Sequence, residues 1–241
     1  MFIRILAFIA SMIPSAFFVI YCFTRKKNGR EYKRYCRWCI LLGASSFIGL
    51  SKFVLILQIA GNFIFANMDT LYQVAYQRYI IAALLEETFK CVMFFMAFHI
   101  CMYRASWRDI VVGMCLSAAG FSIFESGVYG TVTTPGQMLV RGILLMHISY
   151  QFITAYGTCL LATKRRKWPF VLSFFIAVFL HGTYDFCLSD ELNAVNENFG
   201  MISVALAFVA VAVDVAMIFF FVKTRKDPKF TAPLGWKFKK G

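Results

Sequence analysis

Charged side chains are scarce in this 241-residue chain, at 15% against about a quarter in an ordinary soluble domain, and only 12 are Asp or Glu. With 60% apolar residues and a mean hydropathy of +0.69, too little polar surface remains to coat a soluble globule. Proline is sparse as well. Of the five, Pro14 alone lies well inside an apolar block, so the Pro-broken helices that many transporters build around mid-membrane sites are missing. The eight cysteines form no zinc pattern: Cys36 and Cys39 are a CxxC without a second pair, and the others are scattered as small packing residues. There is no HExxH pair, internal repeat, low-complexity linker or stretch polar enough for a separate soluble domain. These absences leave one integral membrane domain over residues 1–241.

Apolar blocks of about 20 residues are present instead, the length a helix needs to cross about 30 Å of hydrocarbon. Seven can be read, near 2–23, 38–60, 73–102, 110–130, 142–162, 168–187 and 201–222, and they predict an all-α polytopic membrane helix bundle. The basic residues fall between them: Arg25 to Arg37 after the first block, Arg104 and Arg108 after the third, Lys164 to Lys167 after the fifth, and Lys223 to Lys240 after the seventh. The connections near 61–72, 131–140 and 188–200 carry no Lys or Arg, though they hold Asp69, Asp190, Glu191 and Glu197. The positive-inside rule then places the N-terminus outside and the C-terminus in the cytoplasm. The first block, with one early Arg and a basic run behind it, reads as a retained anchor. Anionic lipid and topology account for the net charge of +13, so the expected partner is membrane lipid and not nucleic acid.

The informative residues are those that a bilayer excludes. A carboxylate at the centre of a membrane helix costs about 2.5–3.5 kcal/mol on insertion scales, so each one present needs a partner or a purpose. Glu86 and Glu87 lie with Lys90 in the third block, Glu125 in the fourth, Asp185 in the sixth and Asp214 in the seventh. His147 and His181 lie in the fifth and sixth blocks, and His99 near the cytoplasmic end of the third. With the topology above, Glu86, Glu125, His147 and His181 come within about 5 Å of one level in the outer half of the membrane. Glu86 and Lys90, Phe121 and Glu125, and His181 and Asp185 are pairs at i and i+4, and Glu87 and Lys90 at i and i+3, so each pair shares a helix face. One lysine beside two glutamates compensates one charge and leaves the other free to act as a base. Asp214, with no motif around it, is expected to meet Lys52 or a backbone group. Gly113, Gly120 and Gly127 with Ala118 and Ala119 imply close helix packing around the fourth block.

Three segments carry a resemblance. Glu86-Glu87-Thr88-Phe89-Lys90, Phe121-Ser122-Ile123-Phe124-Glu125 and His181-Gly182-Thr183-Tyr184-Asp185 resemble, in order and on the third, fourth and sixth blocks, the EExxK, FxxxE and HxxxD motifs of the PrsW family. Those are intramembrane endopeptidases best known for cutting a membrane-bound anti-sigma factor on its extracytoplasmic side, and they look distantly related to the CAAX-prenyl endopeptidases, which use EExxxR, FxxxH and HxxxN. The stretch from Arg141 to His147 resembles the family's histidine helix. The resemblance covers about 85–190, within a motif-bearing core of about 73–190. It implies a glutamic-type peptidase of the bacterial plasma membrane acting on a single-span membrane protein. Catalytic roles would fall to Glu86, Glu87, Glu125, His147, His181 and Asp185, with Lys90 and Phe121 in support. Glu86 would activate water, held by Glu87 and Lys90; Glu125 stands where the CAAX relatives have a histidine, His147 and His181 would complete the site, His181 or in second place Lys90 would serve the oxyanion, and Asp185 would orient His181 or polarise the scissile carbonyl.

Two points stay open at this level. A metal-free, carboxylate-activated water is the favoured reading, while Glu86, Glu125, His147 and His181 would satisfy zinc or another divalent ion. The same carboxylates and histidines would also suit a proton- or cation-coupled transporter or channel, against which stand the missing inverted repeat and the single lopsided cluster.

Overall fold

The computed structural model describes residues 2–24, 29–129, 145–194, 196 and 198–234, and every regular element among them is helical. In order these are α1 (Phe2–Phe23), α2 (Arg30–Phe65), α3 (Thr70–Ala75), a π-helical segment (Tyr76–Leu84), α4 (Leu85–Cys101), α5 (Trp107–Tyr129), α6 (Met146–Lys164), α7 (Lys167–Cys187), α8 (Asp190–Asn193), α9 (Asn198–Lys223) and α10 (Pro228–Thr231). The third block is therefore one continuous rod over 70–101. Arg25, Lys26, Lys27, Lys237, Lys239, Lys240, Glu197, the connection near 131–140 and the stretch from Arg141 to Leu144 lie outside the described residues.

Among the described residues, five helices are long and apolar enough to cross a membrane: Ile5–Phe23, Arg30–Phe65, Trp107–Ser126, Lys167–Cys187 and Asn198–Lys223. The chain is a multi-pass membrane protein. The other two blocks are helical as expected but more polar, the rod through Glu86, Glu87 and Lys90, and α6 through His147, Gln151, Thr154 and Thr158. Those side chains turn inward; Gln151, Thr154 and Thr158 are fully buried. Large apolar side chains such as Phe17, Phe63, Phe208 and Phe219 cover the outside, as lipid solvation requires.

Local signals explain the ends. α5 opens on a capping box: the Asp109 N–H donates to Ser106 Oγ at 3.2 Å while the Ser106 N–H donates to Asp109 Oδ2 at 2.9 Å. α4 stops at Met102, whose φ of 49° is left-handed. Arg165, with φ 52°, reverses the chain between α6 and α7 in a two-residue link, and Pro169 sits in the first turn of α7, where its missing N–H costs nothing. α2 begins eight residues earlier than the apolar block because Tyr32, Tyr35, Cys36 and Cys39 form a buried stripe while Lys33, Arg34 and Arg37 stay outside. α6 begins later than the expected residue 142, because Leu145 takes φ 44° and cannot continue a helix.

The core is a small-residue weld between α2 and α5. A Cβ on Gly43 would strike the Ser117 backbone, and one on Gly120 would strike the Ile40 carbonyl, so the two backbones touch almost directly. At the other end of α5, the buried Arg108 donates to the Phe221 carbonyl and to Thr224 Oγ1, both at 2.8 Å, tying α5 to the end of α9. α2 thus acts as a splint for α5 and, through it, for Glu125. Gly43→Ala and Gly120→Ala are each expected to lower stability by about 1–3 kcal/mol, read as unfolding midpoints in detergent. Gly49→Ala, whose Cβ would meet only the Phe89 ring at 3.4 Å, is the control expected to leave the midpoint unchanged.

Candidate active site

Glu86, Glu87 and Lys90 occupy the first turns of α4, directly after the π-helical segment. Each i→i+5 turn holds an extra residue and so rotates the turns after it relative to an ordinary helix. The segment is docked on α7: Tyr79 and Thr183 hydroxyls hydrogen-bond at 2.8 Å, and a Cβ on Gly182 would come within 2.5 Å of the Tyr79 ring. Gly182 and Thr183, the inner residues of the His181 to Asp185 segment, thereby set how α4 faces α7.

Glu87 lies at the centre with no exposure. Its Oε1 accepts from Lys90 Nζ at 2.6 Å and lies 3.0 Å from His181 Nδ1, and its Oε2 accepts from Gln151 Nε2 at 2.8 Å. One carboxylate therefore joins α4, α6 and α7. Lys90 Nζ also approaches His147 Nδ1 at 2.9 Å and lies 4.6 Å from the centre of the Phe121 ring. Glu125, brought in by α5, bonds the far nitrogen of His147, Nε2. The His147 and His181 rings meet edge-on at 5.2 Å, and Tyr150 stacks on His181 at 5.1 Å.

Glu86 is placed differently from its neighbour. Its Oε2 is buried and makes no hydrogen bond among the described residues, yet three groups surround it: Lys90 Nζ at 3.7 Å, His181 Nε2 at 3.8 Å and His147 Nδ1 at 3.9 Å. An unpaired buried carboxylate oxygen is costly and calls for a ligand or a proton. Glu86, His147 and His181 each offer a ligand atom within 4.8 Å of the others. In a tetrahedral site with bonds of about 2.1 Å the ligand atoms lie about 3.4 Å apart, so a divalent ion would draw the two histidine nitrogens about half an ångström closer to Glu86 Oε2 and shorten the widest separation by up to about 1.4 Å. The outer nitrogens of both rings are already held by carboxylates, His147 by Glu125 and His181 by Glu87, the arrangement that orients metal-ligating histidines. Among the described residues, four carboxylates, Glu86, Glu87, Glu125 and Asp185, gather in this cluster around Lys90 and the two histidines. The donor set fits a divalent metal.

All six residues expected to be catalytic come together here, with Lys90 and Phe121 beside them, while His99 is exposed on the last turn of α4. Glu125 stands one layer further out than the expected four-ligand set, engaged with His147. His147 lies in the first turn of α6, not five residues inside it, because of the break at Leu145. Asp214 meets Ser149 Oγ at 2.5 Å, and not Lys52, which is exposed on α2. Gln151 and Tyr150 escaped the sequence reading. Both follow His147 by one turn, at i+4 and i+3, and that spacing was the available signal.

A protein-family model described as PrsW family intramembrane metalloprotease matches residues 31–217. Among curated proteins, the protease PrsW of Halalkalibacterium halodurans is 33% identical over 114 residues, which is 44% of this chain and 52% of that protein. The match thus spans about half the length of the relative. No solved structure matches the chain.

The Glu87 junction generates a stability test. Lys90→Met strands a buried carboxylate and is expected to cost about 3–5 kcal/mol in a detergent unfolding titration. Adding Glu87→Gln to Lys90→Met should recover more than half of that loss, since the pair is coupled.

Proposed function

Because the chain belongs to the PrsW family, we propose that it is an intramembrane endopeptidase that hydrolyses a peptide bond in a single-span membrane protein near the outer face of a bacterial plasma membrane. An anti-sigma factor is the kind of substrate that the family resemblance implies. In this reading the rod over 70–101 and α6 also span the bilayer, giving seven crossings with the N-terminus outside. The observation that carries it is the orphaned Glu86 Oε2, buried between His147 Nδ1 and His181 Nε2 at 3.9 and 3.8 Å.

Glu86 Oε2, His147 Nδ1 and His181 Nε2 would hold a divalent metal such as zinc, in place of the metal-free water that the sequence alone favours. A metal bound there would supply a more acidic water and polarise the scissile carbonyl. The remaining work belongs to the side chains. Glu125 keeps the proton of His147 on Nε2, which directs the Nδ1 lone pair toward Glu86. Glu87 accepts from His181 Nδ1 and leaves Nε2 turned inward, and Gln151 keeps Glu87 in place through its second oxygen. Lys90 must release its contact with His147 Nδ1 for that nitrogen to serve as a ligand, and Glu87 Oε1 at 2.6 Å retains it. Asp185 Oδ2, 3.5 Å from His181 Nε2, is the carboxylate placed to take the proton of the attacking water and return it to the leaving amine.

The test is cleavage of candidate single-span substrates by purified protein, read beside metal content. Glu86→Gln and His181→Ala should lose both metal and at least about a hundredfold in activity, and a chelator should do the same to the wild type, reversibly. Asp185→Asn should keep its metal and lose about a hundredfold or more in kcat. Full activity in Glu86→Gln sinks the assignment; full activity after complete metal removal returns Glu86 to the role of metal-free base. For the orientation, a reporter fused after the last residue that matures only in the cytoplasm should be active.

A further inference from the structure

A second polar feature lies away from this cluster. Between the last turns of α2 and the first turns of the rod runs an open groove of about 220 Å³, walled by Gln58 and Asn62 on one side and Gln73 and Gln77 on the other. Each wall is a pair at i and i+4, so four side-chain amides line two facing helix stripes. The floor is closed where Gly61 lets the Tyr76 ring pass; Tyr76 donates to the Leu57 carbonyl at 3.0 Å and its ring lies 4.7 Å from that of Phe65. Gln73 is committed, its Nε2 donating to the Phe65 and Met68 carbonyls at 3.2 and 3.0 Å. Gln58, Asn62 and Gln77 are exposed into the groove and hydrogen-bond to no described residue. On the same turns of α2, Ile59, Phe63 and Ile64 point outward. Amides gathered into one groove at the edge of an apolar surface mark a place where hydrogen bonds are to be made.

The chemistry narrows the occupant. No charged side chain lines the groove, whereas a phosphate headgroup calls for Lys or Arg. A primary amide offers two donors and a carbonyl acceptor, which match the alternating N–H and C=O groups of a peptide backbone. Only an extended segment presents those groups, since a helix satisfies its own. Ile81, which lines the end of the groove, precedes Glu86 by five residues on the same rod, or about 7 Å along its axis. A chain laid in the groove would thus lie within about a turn and a half of Glu86 along the rod.

We propose that this groove is a substrate subsite that binds an extended, uncharged polypeptide segment through backbone hydrogen bonds to Gln58, Asn62 and Gln77. The proposal rests on the endopeptidase reading and names the form in which that substrate is taken: the unwound stretch flanking its membrane span. A bond inside an intact helix is shielded by the helix itself, so holding the flank extended presents the reacting carbonyl.

The experiment uses the full chain in phosphatidylcholine nanodiscs, carrying Glu86→Gln so that binding is read without hydrolysis. The probe is a fluorescent synthetic peptide with a leucine-rich span and a short Ser/Thr extension, compared with the same peptide N-methylated along the extension backbone. Methylation, or the triple variant Gln58→Leu/Asn62→Leu/Gln77→Leu, should each weaken binding by about tenfold or more, and the two together no further. Gln58→Leu and Gln77→Leu alone, on opposite walls, should each weaken it by about threefold with the unfolding midpoint unchanged. With Glu86 intact, the triple variant should raise KM and leave kcat alone. Backbone recognition is indifferent to side-chain sequence, so failure of the unmethylated peptide to bind overturns the proposal. Wild-type affinity in the triple variant overturns it too, as do losses that multiply, the pattern of a lipid-filled or self-covered groove. The expected binding pattern without cleavage by the intact chain would leave the subsite standing and sink the endopeptidase reading.

Discussion

The site depends on a single buried carboxylate. Glu87 has no exposure, and its two oxygens meet Lys90, His181 and Gln151, so three helices are joined at one point in a medium where an unpaired charge is very expensive. That saturation gives its neighbour freedom. Glu86, one residue earlier and about 100° round the helix, finds the strong donors already engaged and keeps an oxygen without a hydrogen bond among the described residues. Adjacent residues of the same type thus divide into one that holds the bundle together and one that is available for chemistry.

The same division runs through the histidines. Each ring has one nitrogen held by a glutamate and the other turned toward Glu86, which requires α5, α6 and α7 to meet α4 at one level. Among the described residues α2 contributes no side chain to this cluster, yet its Gly43 against Ser117 and its Ile40 carbonyl against Gly120 hold the α5 backbone where Glu125 is needed. The π-helical turns ahead of Glu86, seated on α7 through Tyr79, set the rotation of α4. A membrane supplies no hydrophobic drive for these helix contacts, so close backbone approach and saturated polar junctions take its place.

Much of this was legible in the chain itself. Apolar block length gave the membrane class and the helix positions, and the cost of intramembrane charge singled out Glu86, Glu87, Lys90, Glu125 and Asp185 before any geometry was known. Neutral residues were harder to see. Gln151 and Tyr150 carry no charge whose cost would flag them, and they matter through Glu87 and His181, which they meet from one turn beyond His147. Leu145 takes a left-handed conformation without the glycine that normally signals one, so the start of α6 was misplaced. Ser149 was invisible as the partner of Asp214 because a serine at a helix interface looks like packing. The π-helical segment has no compositional signature, since it is enforced by contacts of Tyr76 and Tyr79 with distant helices.

The two-residue link at Arg165 and Arg166 makes α6 and α7 into a pair of tongs riveted at one end. His147 and His181 sit near the free tips, about 27 and 24 Å from the rivet at 1.5 Å per residue. At that lever arm each degree of splay separates the two rings by about 0.4 Å. Tight seating of Gly157 on Pro169 and Phe170 beside the rivet thus governs alignment far away, and slack of a few degrees would be enough to part the two imidazoles by about an ångström.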